Sequence, residues 1–137
     1  MPHPVSLAIA QAAIESAWGT SRFFLEGRNA FGVWSFSEDD SRMIANETRE
    51  GRPVFLKKYN SLIDSAEDYY LVLSRGPFSD FREVRATTND VFELLPNLTK
   101  YSEQENSYAR KLNKIINKNK LIIYDSYQID PKYILDD

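Results

Sequence analysis

The chain has 137 residues, with 42% hydrophobic, 13% aromatic and 27% charged residues, which is the composition of one soluble globular domain. Its net charge of -3 provides no basic field for a nucleic acid. Because it has one His and no Cys, the common zinc sites, Cys nucleophiles and disulfides are excluded, and no metal or organic cofactor is implied. Catalysis would therefore use carboxylates, hydroxyls or phenols.

The N-terminal residues show a helical stripe without a basic start, so we do not expect them to form a signal peptide. No apolar run approaches the ~18 residues of a membrane span. Met1 lies almost directly before a well-formed helix, and we expect any targeting segment to lie upstream of it. We expect residues 1–137 to form a single domain, with a core at about 5–118 and a C-terminal extension at 119–137.

The first helix is predicted from Ser6 to Ala17 or Trp18, with Gly19 as its stop signal. Its buried stripe follows the helical repeat and comprises Leu7, Ala10, Ile14 and Ala17 or Trp18. Gln11, Glu15 and Trp18 form a neighbouring stripe because they are spaced by four and three residues. Glu15 therefore lies at the margin of the core, facing solvent or a cleft.

A short second helix is predicted after Thr20 or Ser21, ending at Gly27. The aromatic stretch "NAFGVWSF" (29–36) alternates as an extended segment does. Residues 43–59 are predicted to form a β-hairpin, with a turn built on Gly51 and Pro53 at an edge or strand start.

The second half of the chain is predicted to be helical. Ser61 caps a helix that ends at Gly76, and shorter helices follow at 78–85 and at 89–95, the latter ended by Pro96. The buried face of the first of these helices is predicted to comprise Ile63, Ala66, Tyr70 and Leu73. A last helix at about 103–118 is predicted to bury Tyr108, Leu112 and Ile115, with Ile116 as a further candidate, while the run from Leu121 onward carries no clear pattern. The order of elements predicts an α+β fold, mostly helical, with a small hairpin lobe flanking a cleft.

Four stretches carry a family resemblance. "LAIAQAAIESAWGTSRF" (7–23) and "NAFGVWSF" resemble the "AQ-A-x-ES-x-WG-x-S" helix and "N-x-FG" segment of the Bax-like and flagellar FlgJ-type N-acetylglucosaminidases. These form glycoside hydrolase family 73, with a mannosyl-glycoprotein endo-beta-N-acetylglucosaminidase-like domain. "KKYNSLIDSAEDYYLVL" (57–73) and "YSEQENSYARKLNKII" (101–116) resemble its later helices.

The resemblance implies a lysozyme-like fold and hydrolysis of the β-1,4 bond after N-acetylglucosamine. The substrate would be the glycan polymer peptidoglycan or, less favoured, a glycoprotein core, and the protein would act in the cell envelope, periplasmic or secreted, as a monomer. The acid of the "ES" pair is the family's proton donor, which is Glu15 here. Burial near Ile14 and Trp18 would raise its pKa, as general acid catalysis requires; by pattern alone it is equally a solvated helix residue.

The resemblance implies a second catalytic carboxylate on the β-hairpin lobe, and Glu47 of "NETREG" lies at the family's offset before the turn residue Gly51. Glu50, Asp39 and Asp40 are rivals, and any of these acids is more often simply a solvated hairpin charge. Tyr101 resembles the tyrosine that lines the family's cleft, with a packed core Tyr as the alternative. The family's "YATD" is "YSEQ" here, so the Asp of that motif is missing. Glu103 is the candidate to replace it, and an acid at a helix N-terminus is the alternative explanation.

Asn29, Phe31, Trp34 and Gln11 are predicted to bind the substrate, since aromatic faces stack on sugars and amides hold N-acetyl groups. Core packing is the alternative for the aromatics, and we expect Phe31 to be mainly core and Trp34 partly exposed. Two other functions remain open from the sequence: a lysozyme-like module that binds glycan without cutting it, and a lytic transglycosylase that uses a single Glu.

Overall fold

The computed structural model describes residues 3–101 and 106–127. The chain forms, in order, α1 (Val5–Glu15), α2 (Arg22–Gly27), β1 (Arg42–Arg49), β2 (Arg52–Lys57), α3 (Leu62–Leu73), α4 (Ser79–Thr87), α5 (Val91–Leu94), a first 3-10 helix (Leu95–Tyr101), α6 (Asn106–Lys118) and a second 3-10 helix (Leu121–Ser126). The α+β architecture is confirmed. Within the described ranges, no helix is both long and apolar enough to cross a membrane.

The two strands form the predicted hairpin. β1 and β2 pair antiparallel, and the pairing is irregular between Ile44 and Thr48. Glu50 and Gly51 connect the strands with φ of 51° and 74°, the positive values that a two-residue hairpin turn requires. Pro53 pairs with Thr48, which a two-stranded sheet tolerates because both of its strands are edges.

The hydrophobic core lies among α1, α3, α6 and the segment that links α2 to the hairpin. α6 carries the most regular apolar stripe, as predicted: Tyr108, Leu112 and Ile116 are buried, and Ile115 is half-buried. The predicted start of this helix at Glu103 lies outside the described residues. The core therefore joins the first and last long helices of the chain.

The predicted buried face of α3 is only partly correct: Leu73 is buried as predicted and Ala66 is half-buried, but Ile63 and Tyr70 are not buried. Ser65, Tyr69 and Leu73 are buried, whereas Ile63 and Tyr70 are 70% and 41% exposed. Ser65 points inward because its hydroxyl accepts a hydrogen bond from the Ala30 N–H at 3.0 Å. The Tyr69 ring stacks on Phe31, with ring centroids 4.0 Å apart. Polar partners at the core boundary thus override the apolar pattern.

α5 ends just before Pro96 as predicted, but the chain stays helical beyond it. Pro96 lies inside the first 3-10 helix, which follows α5 directly at Leu95. A proline at the start of a new helix is tolerated because the N–H that it lacks would have no partner there. The chain therefore continues as a tighter helix as far as Tyr101.

The second 3-10 helix packs on α1 and caps it. Pro4 is the N-cap of α1 and provides no side-chain cap, so the first backbone N–H groups need another acceptor. Asp125 provides it: one carboxylate oxygen accepts from the Ser6 N–H and the other from the Ser6 hydroxyl, both at 2.7 Å. The segment from Leu121, for which the sequence predicts no conformation, thereby stabilises the start of the first helix.

Replacing Asp125 is expected to weaken the fold. Asp125→Ala leaves the start of α1 without its acceptor and should lower the free energy of unfolding by about 1–2 kcal/mol. Asp125→Asn keeps an acceptor oxygen, so its free energy of unfolding should fall by less. Urea denaturation measures both, and a double-mutant cycle with Ser6→Ala isolates the hydroxyl bond; an unchanged midpoint for Asp125→Ala would contradict this assignment.

Candidate active site

α1 ends at Glu15, earlier than predicted, because the next residues turn back on the helix. The Ser16 hydroxyl donates to the Ala12 carbonyl at 2.6 Å and accepts from the Gly19 N–H at 2.9 Å. Ala17 and Trp18 adopt positive φ of 49° and 57°. Trp18 therefore leaves the helical stripe and is 63% exposed, so the predicted burial of Ala17 or Trp18 is wrong. Glu15 is left at the very end of the helix.

The carboxyl of Glu15 is half-buried and has one described hydrogen-bond donor, Tyr108. The Tyr108 hydroxyl donates to Oε1 of Glu15 at 3.0 Å. Burial raises the pKa of Glu15 from 4.5 to about 7, and the bond from Tyr108 lowers it in part because it favours the ionised form. Glu15 therefore carries a proton in a large share of molecules at neutral pH.

The second oxygen of Glu15 lies against Gly32. A Cβ added to Gly32 would meet Oε2 at 2.9 Å, which is closer than real Cβ atoms come to such an atom. Gly32 also has φ of +66°, which disfavours other residues. The "FG" of the aromatic segment thus leaves space beside Oε2 that any side chain would fill.

Gln11 does not lie where a sugar could touch it. It is fully buried one helical turn before Glu15, and both ends of its amide are bonded. Its Oε1 accepts from the Tyr69 hydroxyl, and its Nε2 donates to the Tyr108 hydroxyl at 3.2 Å. The sequence predicts that Gln11 contacts the substrate. Its complete burial contradicts that prediction, because no atom of the amide is exposed.

Asn29 and Phe31 are also buried, which confirms the expectation that Phe31 is mainly core and leaves neither side chain exposed for the predicted contact with substrate. The Asn29 amide donates to the carbonyls of Val33 and Lys57, each at 3.0 Å, and accepts from the Val33 N–H. Phe31 is 7% exposed and stacks on Tyr69. Both residues hold the aromatic segment against α3 and β2, so they shape the site without facing it.

Tyr101 is half-buried beside the site. Its hydroxyl donates to the Phe31 carbonyl at 3.0 Å, and its ring stacks on Tyr108 with centroids 6.0 Å apart. Burial first, and then the charge of Glu15, raises the pKa of Tyr101 well above its usual value. Tyr101 is therefore a neutral group close to the acid, and its proton is engaged with the backbone.

The hairpin and α2 enclose a cavity of about 400 Å³. Trp34 and Glu47 both line it, together with Arg22 and Phe23. Trp34 is half-buried and bridges to Leu56 of β2, while Glu47 is exposed on the irregular part of β1. Among the described residues, Glu15 is not in the lining of this cavity. Trp34 and Glu47 thus share one surface of the hairpin lobe.

The rival acids occupy different places. Asp40 accepts a hydrogen bond from the Ser35 hydroxyl at 2.8 Å, which engages it in its own loop. Asp39 is exposed in the same loop, and Glu50 is exposed in the hairpin turn. Glu103 lies outside the described residues. Of the described candidates, Glu47 is the one that lines the hairpin cavity.

Sequence reasoning misses two contributors to the site. It predicts Tyr108 only as a buried position on α6, and Gly32 only as part of an extended segment. A Tyr within an otherwise aliphatic stripe is the available signal, since a buried phenol needs a partner for its hydroxyl. Within the described part of the chain, no three His, Cys, Asp or Glu residues are grouped to hold a metal ion.

The fold and the site together define a lysozyme-like α+β protein with a protonatable carboxyl at a helix end. The family model for glucosaminidase, described as mannosyl-glycoprotein endo-beta-N-acetylglucosaminidase, matches residues 1–121. The chain belongs to this family, which confirms the resemblance drawn from the sequence.

Individual relatives agree with this assignment. The chain is 32% identical to peptidoglycan hydrolase FlgJ of Salmonella typhimurium over 82% of its length and 27% identical to exo-glucosaminidase LytG of Bacillus subtilis over 88%. It spans 39% and 45% of these curated relatives. The catalytic domain of the autolysin Auto from Listeria monocytogenes has a similar structure, with a TM-score of 0.68 and 30% identity, covering 88% of this chain and 74% of that one.

Gly32→Ala is expected to displace the Glu15 carboxyl. Gly51→Ala is a matched control, because Gly51 also has positive φ, at +74°, but a Cβ added there would meet no atom within 4 Å. In both variants the free energy of unfolding should fall by about 1–2 kcal/mol, because alanine is strained at positive φ. Only Gly32→Ala should change the pH at which Glu15 titrates, measured by NMR of 13C-labelled glutamate. Identical titrations in both variants would contradict the contact with Oε2.

Proposed function

We propose that this domain is an endo-acting N-acetylglucosaminidase that hydrolyses the β-1,4 bond after N-acetylglucosamine in peptidoglycan, with Glu15 as the general acid. The observation that carries the proposal is the Glu15 carboxyl, half-buried with a pKa raised to about 7 and with Oε2 beside the space left by Gly32. A glycosidase needs such a carboxyl, protonated at working pH, next to the leaving oxygen.

In the proposed reaction Glu15 gives its proton to the glycosidic oxygen. The bond between the anomeric carbon and that oxygen breaks, and the oxygen keeps the electron pair. Positive charge develops on the sugar ring, and water adds its hydroxyl to the anomeric carbon. The remaining proton of the water must be accepted by a base on the opposite face of the ring.

We assign that second role to Glu47. It is exposed on the hairpin lobe, and it shares the hairpin cavity with Trp34. The Arg49 guanidinium lies over the Trp34 ring, 5.2 Å from its centroid, so a sugar would stack on the opposite face of the ring. The substrate's own acetamido group is the alternative source of stabilisation. Tyr101, which is neutral and close to Glu15, is proposed to line the cleft on the side opposite the hairpin lobe.

The names of the relatives support the class of substrate. One is called a peptidoglycan hydrolase and another an exo-glucosaminidase. Because peptidoglycan lies outside the cytoplasm, we place the protein in the cell envelope, acting as a monomer on the glycan polymer. The location and the monomeric state are proposed for the whole protein.

Glu15→Gln is expected to abolish turnover while retaining glycan binding. General acid catalysis is lost, so kcat should fall at least ~100-fold. In the parent protein, kcat/KM should fall as pH rises through about 7, because the acid is active only when it is protonated. Reducing ends released from purified peptidoglycan measure turnover, and pull-down with the insoluble polymer measures binding. Turnover equal to that of the parent would remove Glu15 from the mechanism.

Glu47→Gln tests the second carboxylate. If Glu47 activates water, kcat should fall about 10- to 1,000-fold with little change in KM. Glu50→Gln, at the exposed turn of the same hairpin, is the matched control and should keep the activity of the parent. Retained activity in Glu47→Gln would remove Glu47 from the mechanism and favour stabilisation of the anomeric carbon by the acetamido group of the substrate.

Product analysis separates the proposed function from its alternatives. A glucosaminidase releases reducing N-acetylglucosamine ends, and a lytic transglycosylase releases anhydromuramic ends. A module that only binds glycan releases neither. Mass spectra of the digest also show whether internal or terminal bonds are cut, which tests the endo-acting assignment.

A further inference from the structure

A chain of hydrogen bonds crosses the interior and ends on Glu15. His3 Nε2 lies 3.0 Å from the Tyr69 hydroxyl, which donates to Gln11 Oε1. Gln11 Nε2 donates to the Tyr108 hydroxyl at 3.2 Å, and Tyr108 donates to Glu15 Oε1 at 3.0 Å. These hydrogen bonds connect the segment before α1, α3, the middle of α1 and α6. Its inner members, Tyr69, Gln11 and Tyr108, are 2% exposed or less.

Such a series of hydrogen bonds can donate in either of two directions. Each hydroxyl has one proton, and each amide has a donor end and an acceptor end. In the observed direction, every group donates towards Glu15. The reverse direction requires Gln11 to be turned over and Glu15 to donate to Tyr108. In the reverse case the carboxyl proton would be held inside the protein, away from any substrate.

His3 selects the observed direction. Burial and the nearby charge of Arg85 lower its pKa to about 4, so the ring is neutral while Glu15 titrates. Its Nδ1 is buried and lacks a hydrogen-bond partner among the described residues. In the observed direction Nε2 carries the ring proton, and Nδ1 is an unpaired acceptor. The reverse direction would place the proton on Nδ1, and an unpaired buried N–H donor is the costlier of the two.

The direction of the chain decides which oxygen of Glu15 carries the acid proton. Oε1 accepts from Tyr108, and in a neutral carboxyl the carbonyl oxygen is the better acceptor. The proton therefore resides on Oε2, the oxygen beside Gly32. The other titratable group described near Glu15, Tyr101, has its hydroxyl proton on the Phe31 carbonyl and does not compete.

We propose that Gln11 and Tyr108 are positioning residues that hold the proton of Glu15 on Oε2, where the glycosidic oxygen can receive it. This inference rests on the proposed function, in which Glu15 is the general acid. It gives Gln11 a part that its burial allows, and it explains why a polar amide lies one turn from the acid inside the core.

Tyr108→Phe tests the inference directly. Without the phenol, the ionised carboxylate loses its donor, so the pKa of Glu15 should rise by about one from its value of about 7. The alkaline limb of kcat/KM should move with it. Since the proton is no longer held on Oε2, kcat should fall about tenfold at low pH while KM changes less than about twofold.

Tyr59→Phe is the matched control. The Tyr59 hydroxyl also donates to a carboxylate, Asp68 Oδ2, at 2.7 Å. Its removal takes away the same type of bond from another part of the fold, so the stability should fall while the titration of Glu15 and its pH profile stay unchanged. A loss of stability alone would therefore not imitate the effect of Tyr108→Phe.

The titration is read from the side-chain carboxyl signal of 13C-labelled Glu15 and needs no substrate. If Tyr108→Phe folds and Glu15 titrates as in the parent, the positioning role is wrong, whatever the activity. If the titration moves but the parent releases no product from peptidoglycan, the hydrogen-bond chain stands and the glycosidase assignment fails.

A second measurement covers the case in which Tyr108→Phe does not fold. In the unaltered protein, the 13Cζ signal of Tyr108 should shift with the ionisation of Glu15, near pH 7, and that of Tyr59 should not. Gln11→Met, which keeps the length but removes both hydrogen bonds, should reduce that response. A Tyr108 signal that is flat through pH 7 would overturn the inference.

Discussion

The hydrogen bond from Tyr108 to Glu15 is the contact on which the arrangement of this site depends. It joins α6 to the last residue of α1, across 93 positions of sequence. Burial alone would raise the pKa of Glu15 further and hold it neutral, whereas the phenol stabilises the ionised form. Because the two effects oppose each other, the carboxyl titrates near pH 7 and is able both to give up a proton and to take it back.

Several polar side chains are buried near this carboxyl, and each of them forms hydrogen bonds. Tyr69, Gln11 and Tyr108 are buried in series, and Asn29 and Ser65 hold the aromatic segment to its neighbours. A buried network of this kind is stable only when its members have partners, since one unpaired group costs about 1–3 kcal/mol. The acid is thus held by geometry that tolerates little local change.

The order of the main helices and the hairpin could be predicted from the sequence, and so could the position of Glu15 at the edge of the core. The hairpin follows from its turn residues, and Glu15 follows from the family motif around it. The inward face of α3 could not be predicted from apolar spacing, because Ser65 and Tyr69 are placed by partners far away in the chain. The burial of Gln11 escapes prediction for the same reason: its partners lie on α3 and α6.

The end of α1 shows a second limit of sequence reasoning. Gly19 is the stop signal that the pattern predicts, but the helix ends four residues earlier, since Ser16 bonds back to the helix and Ala17 and Trp18 adopt positive φ. Such strained conformations in non-glycine residues depend on the surrounding fold. The exposure of Trp18, which follows from this turn, is likewise a property of the folded chain.

The cap that Asp125 gives to α1 has a consequence for the biosynthesis of the domain. Ser6 is translated well before its acceptor Asp125, which follows 119 positions later. Contacts between such distant positions form late, since a long loop must close first. The helix that bears the acid is therefore completed only when nearly all of the domain has been translated, so a nascent chain does not yet possess a finished site.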